Sequence, residues 1–129
     1  MADEKTDKRA EEYIEKMRKQ RGYLPDQWAY LAYKDLDFIE AYDNLYRRGL
    51  EDGKALPAKY RELVCIGVLA YRGLDDAVVS HIKRALKLGA TKQEVIDAIE
   101  TTIIPGGAPT FGSGLAAMMR VEEDEKKGK

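Results

Sequence analysis

The side chains of this chain most able to do chemistry are few. One histidine, His81, and one cysteine, Cys65, occur in 129 residues. Glu62 stands nineteen positions before His81 and three before Cys65. A carboxylate beside an imidazole is an arrangement for general acid–base catalysis, in which the acid orients the ring and the ring gives or takes a proton. Such proton transfer calls for no cofactor. One cysteine excludes an intramolecular disulfide and a cysteine cage for zinc or iron–sulfur, and one histidine excludes a His-rich metal site. Cys65 sits among Val64, Ile66 and Val68, the setting of an inert small hydrophobe; the alternative is a one-cysteine peroxidase.

For Glu62 and His81 to meet, the elements carrying them must fold back on each other. A helix starting near Pro57 and ending at Tyr71, a break at Gly73 and a second helix from about Asp75 would form such a hairpin. At about 1.5 Å per residue, Glu62 then lies roughly 13 Å from the turn and His81 roughly 9 Å. The mismatch of about 4–5 Å is within side-chain reach, directly or through one water.

The rest of the pattern is helical as well, and no strand signal competes. Ala10, Tyr13, Ile14 and Met17 form one stripe, stopped by Gly22 and Pro25. A short helix from about Asp26 carries Trp28, Leu31 and Ala32; the next stripe is Leu36, Ile39, Tyr42, Leu45 and Tyr46, ended by Gly49. Residues 63–71 are apolar on nearly every face, as befits a helix at the centre of a core or in an oligomer interface. Asp75 and Asp76 can cap the following helix, whose stripe is Val78, His81, Ile82 and Ala85. Lys83, Arg84 and Lys87 read as its solvated face, with a role in greeting an anionic substrate as the alternative. Thr91 to Glu94 is a capping box, and Val95, Ile96, Ile99 and Ile103 give the buried face of its helix. Pro105-Gly106-Gly107-Ala108-Pro109 interrupts sharply, before a last helix of small residues, Gly112 to Ala117, that allows close helix–helix approach.

Composition bounds the remainder. The length suits one domain: a polar N-terminal extension over 1–7, a helical domain over 8–121, and a charged tail over 122–129, with both ends frayed. Lysines and arginines number 22 against 23 acids, a formal charge of -1, which argues against nucleic-acid binding. The longest apolar stretch, Leu63 to Tyr71, is nine residues, far short of the roughly 20 that cross a bilayer. With no signal-peptide core at the start, a cytoplasmic location is expected and a membrane partner is not.

Several motifs occur in a characteristic order. They are Gly22-x-x-Pro25, the Arg61-Glu62-Leu63 start of the central helix, His81-x3-Ala85-x3-Gly89, the Thr91-x-x-Glu94 cap and the Gly106-Gly107-x-Pro109 turn. In this order, from about Gly22 to Met119, the chain resembles the carboxymuconolactone decarboxylase family, whose superfamily includes the alkyl hydroperoxidase D-like proteins. The resemblance implies an all-α bundle of about six or seven helices with an alkyl hydroperoxidase D-like fold, assembled as a trimer or a hexamer built as a trimer of dimers, with sites near subunit interfaces. The hydroperoxidase branch carries Glu-x11-Cys-x2-Cys-x3-His. Counted from Glu62, its cysteine positions are Leu74 and Ala77 here, and neither side chain can form a sulfenic acid or a resolving disulfide.

The chain therefore resembles the decarboxylase-like branch. That resemblance implies decarboxylase or isomerase chemistry, a carboxy-lyase type of activity, on a small-molecule carboxylate or lactone. Glu62 and His81 would be catalytic, and Cys65, Gly106 and Gly107 would contact substrate in a pocket completed by a neighbouring subunit. Other readings stand beside this one. His81 can be a hydrogen-bonded core histidine, Glu62 can serve the helix dipole or pair with Arg61 or Lys59, and the protein can be a non-catalytic binding or assembly member of the family.

Overall fold

The computed structural model describes residues 3–21 and 24–129, apart from the side chain of residue 21. Every regular element among them is an α-helix, so the all-α expectation holds: α1 (Glu4–Arg21), α2 (Asp26–Lys34), α3 (Leu36–Leu50), α4 (Ala58–Tyr71), α5 (Asp75–Lys87), α6 (Lys92–Thr101) and α7 (Ile103–Lys126). Contacts divide the chain into two compact units, Met1–Arg48 and Gly49–Lys129. The stop at Gly22 lies outside the described residues.

In the first unit, Ala10, Ile14 and Met17 of α1 pack with Ala32 of α2 and with Leu36 and Ile39 of α3. The stripes expected from the sequence supply this core, with two differences. Leu45 is exposed, and α3 runs through Gly49 to end on the buried Leu50. Glycine ends a helix only where the chain must turn in a left-handed conformation, and Gly49 has no positive φ. Residues 4–7 are already helical rather than frayed, with acids Glu4 and Asp7 in the favourable first turn.

The second unit is built on the α4–α5 hairpin, which packs on α7, with α6 against α4 and α7. Its core joins Ile66 and Ala70 of α4, Val78, Ile82 and Ala85 of α5, Val95 and Ile99 of α6, and Ala117, Met118 and Val121 of α7. Pro57 precedes α4 rather than opening it, and Asp52 instead accepts a hydrogen bond from the Ala58 N–H at 2.8 Å. The hairpin turn is a Schellman motif. Gly73 takes φ 70, its N–H reaches the Ala70 carbonyl, and the Leu74 N–H reaches that of Leu69.

Leu74 also occupies the N-cap position of α5, so Asp75 and Asp76 are not caps. They are the first two residues of the helix and clasp α7, Asp75 accepting from Ser113 at 2.8 Å and Asp76 from Arg120 at 2.9 Å. The capping box at Thr91 and Glu94 is complete, with both reciprocal bonds present. Ile103 is exposed at the start of α7 rather than buried with Ile99, because α6 ends at Thr101.

Gly114 is where the small-residue helix earns its composition: a Cβ there would stand 2.7 Å from the Ile99 side chain. The charged C-terminal segment is helical to Lys126 rather than frayed. Asp124 accepts from Lys83 of α5 at 2.7 Å and Glu125 from Lys92 of α6 at 2.8 Å, which ties the last turns to the bundle. No helix among the described residues is long and apolar enough to cross a membrane.

Candidate functional site

The hairpin brings Glu62 and His81 into direct contact, with Glu62 Oε2 2.5 Å from His81 Nδ1. The reason is local and cumulative. The Schellman turn reverses the chain within three residues, and Ile66 and Ala70 on α4 pack with Val78, Ile82 and Ala85 on α5. This seam sets the register that leaves Glu62 opposite His81. The Glu62 side chain is fully buried, and that of His81 is 12% exposed. A buried carboxylate is tolerated when it is paired and hydrogen-bonded. As an ionised acid Glu62 only accepts, so the short contact requires a proton on Nδ1.

A third side chain, Arg84, completes the group. Its Nε lies 3.5 Å from the other Glu62 oxygen, Oε1, while its own side chain is 45% exposed. At that distance the contact is an ion pair rather than a hydrogen bond, and Oε1 makes no hydrogen bond among the described residues. Arg84 therefore faces the carboxylate, and Lys83 is held by Asp124, so neither is simply part of a solvated face. The signal for Arg84 was present in the sequence: three residues after His81, it lies on the same side of α5.

Cys65 shares this surroundings, half-buried and close enough to feel the same charges. Burial pushes its thiol pKa up, the Glu62 carboxylate adds to that, and Arg84 and Arg61 oppose it in part. A thiol held in its protonated form is a poor nucleophile. Leu74 and Ala77 occupy the N-cap and the first turn of α5, so the helix that bears His81 starts without a thiol. Among the described residues no cluster of three metal-ligating side chains forms.

Gly106 and Gly107 are placed elsewhere. Gly107 has φ 75 and ψ -177, a conformation essentially reserved for glycine, and it breaks α7 into two helical stretches. Gly106 packs so tightly on Thr110 that a Cβ would lie 2.5 Å from its hydroxyl. Gly106 lines an apolar groove of about 510 Å³ together with Leu63, Val64, Gly67, Val68 and Tyr71 of α4. At about 100° per residue, these α4 positions lie on the side of the helix away from Glu62, Cys65 and Ile66. The structure thus brings Glu62, His81, Cys65 and Arg84 together, and it sets Gly106 on the opposite face.

Comparison with known proteins gives concordant matches. Residues 37–119 match the carboxymuconolactone decarboxylase family. An uncharacterised protein of Methanocaldococcus jannaschii is 33% identical over 89 residues, which span 69% of this chain and 82% of that protein. An uncharacterised protein of Cupriavidus necator is 30% identical over 71 residues, 55% of this chain and 62% of that protein. The crystal structure of a "putative carboxymuconolactone decarboxylase" from Burkholderia xenovorans LB400 superposes with a TM-score of 0.74 at 27% identity, covering 95% of each chain.

Proposed function

The chain belongs to the carboxymuconolactone decarboxylase family, and from that premise we propose that it carries out cofactor-free acid–base chemistry, of decarboxylase or isomerase type, on a small organic acid or lactone. The observation that carries this reading is the 2.5 Å contact between a fully buried Glu62 carboxylate and His81 Nδ1. With Nδ1 committed to Glu62, proton transfer falls to Nε2. For a β,γ-unsaturated acid, the bond from the carboxylate carbon to Cα breaks and its electron pair forms the Cα–Cβ double bond. The Cβ–Cγ pair takes a proton at Cγ from Nε2 of His81 in its doubly protonated, imidazolium form, carbon dioxide leaves, and the neutral Nδ1–H ring that remains is reprotonated at Nε2 by solvent. An isomerase would use the same two groups to remove a proton from one carbon and return it to another.

A second reading has its own observation. The groove face of α4 exposes Val64, Val68 and Tyr71, and Ile104 at the start of α7 is exposed as well. Exposed apolar side chains of this kind suit a homo-oligomer, trimeric or hexameric, and a non-catalytic assembly role would need nothing more. Peroxide reduction is disfavoured by Leu74 and Ala77 at the dithiol positions and by the raised Cys65 thiol.

The test is solvent-deuteron incorporation at carbon, followed by NMR across a panel of unsaturated small carboxylates and lactones. Both reaction types introduce a deuteron from D₂O, and the expected incorporation disappears in His81→Asn and Glu62→Gln. Incorporation that survives both changes would take the chemistry away from this pair, and none with any compound would leave the assembly reading in place.

A further inference from the structure

The two oxygens of Glu62 are treated unequally. Oε2 holds His81 Nδ1 at 2.5 Å, and Oε1 is buried with no hydrogen bond among the described residues, facing Arg84 Nε at 3.5 Å. One hydrogen bond to one oxygen leaves a carboxylate free to rotate about its last torsion, which is a soft, two-fold one. A cation on the second oxygen removes that freedom by Coulomb attraction, which is strong where water is excluded. His81 and Arg84 are three residues apart on α5, so one helix face delivers both to the same carboxylate. Glu62, Arg84 and Arg61 all act on the Cys65 thiol of α4, which places Glu62 and Arg84 in one neighbourhood. Where α7 meets α5, Arg120 is on Asp76 and Asp124 on Lys83, and Arg84 is the guanidinium of α5 that reaches Glu62.

We propose that Arg84 is a positioning residue: its guanidinium holds Oε1 of Glu62 so that Oε2 stays on Nδ1 of His81, which keeps the ring in the tautomer that leaves proton transfer to Nε2. This rests on the acid–base reading of the Glu62–His81 pair. It assigns Arg84 no contact with substrate. A merely structural ion pair would leave the ring tautomer unchanged when it was removed.

The single histidine makes the test direct, because imidazole nitrogen-15 signals can come only from His81. In the wild-type chain the Nδ1–H form should dominate. Arg84→Gln should lower the ratio of Nδ1–H to Nε2–H forms by about fivefold, the fold-change expected when the Oε2–Nδ1 hydrogen bond loses most of its strength because its acceptor is no longer held. Arg84→Lys, which keeps the charge, should stay within about twofold of wild type. Glu62→Gln serves as the control for the pair, and it should abolish the preference altogether. An unchanged ratio in a folded Arg84→Gln protein, with Glu62→Gln still effective, overturns the role of Arg84 alone. A ratio indifferent to both changes overturns the pair itself. If Arg84→Gln fails to fold, Arg84→Met, which keeps the aliphatic stem, carries the same comparison.

Discussion

The two sides of α4 invert the usual distribution of polarity. The side facing α5 buries an acid, Glu62, completely, together with Ile66 and Ala70, while the opposite side leaves Val64 60% and Tyr71 70% exposed. Within one subunit, burying valines would stabilise and burying a carboxylate would cost several kcal/mol unless it is paired. Stability of the isolated subunit therefore accounts for neither side. The proposed acid–base role would account for the acid and the proposed homo-oligomer for the valines, two demands that the sequence of this helix mixes.

That contrast can be broken by substitution, and the largest effect should come from the buried side. Ile66→Ala should cost about 2–5 kcal/mol in urea unfolding, because Ile66 is fully buried among four helices. A loss under about 1 kcal/mol would mean that this side is not the tightly packed one. Glu62→Gln should cost about 1–3 kcal/mol, since the amide replaces the acceptor that holds His81 and leaves a buried polar group imperfectly paired. A neutral or stabilising change would show that the hairpin holds the acid without needing it.

Cys65 reports on the same side through pH. Its pKa is raised, so the reactive thiolate appears only above the range of an ordinary thiol, and alkylation at neutral pH should be several-fold slower than for a free cysteine. Because the Glu62 charge contributes to the rise, Glu62→Gln should bring labelling to lower pH; no acceleration would indicate that burial accounts for all of it. The smallest effect belongs to the exposed side. Val64→Ser should change unfolding at low protein concentration by no more than about 0.5 kcal/mol, and a larger loss would show that the groove face is already covered.

How legible this was in the sequence depends on the range of the interaction. Local rules carried far: helical stripes, the Thr91–Glu94 box and the Gly73 turn follow from neighbours three or four residues apart. The meeting of Glu62 with His81 was accessible too, because a short turn and a fixed rise per residue leave little freedom. What failed depended on contacts between elements distant in sequence. Asp75 and Asp76 read as caps because nothing local shows Ser113 and Arg120 arriving from α7. Arg84 read as solvated because a helix face is named by its majority, and Lys83 and Lys87 are its neighbours in sequence. Residues 63–71 read as apolar all round, a pattern that does not show which way Glu62, the acid just before them, points until the partner helix is known.

The kink in α7 has a consequence for handedness. At φ 75 and ψ -177, Gly107 holds the mirror image of an ordinary extended residue. Gly107, which shares a positive φ with Gly73, Gly89 and Gly128, therefore has a backbone that suits a D-amino acid. Chemical synthesis with D-alanine at 107 would meet a conformation natural to it and remove unfolded-state freedom, with a gain of about 0.4–1 kcal/mol as for other compatible glycine replacements. L-alanine at the same position would have to be forced there. In a helix that otherwise obeys one chirality, the bend between its two stretches is a point where the opposite one fits better.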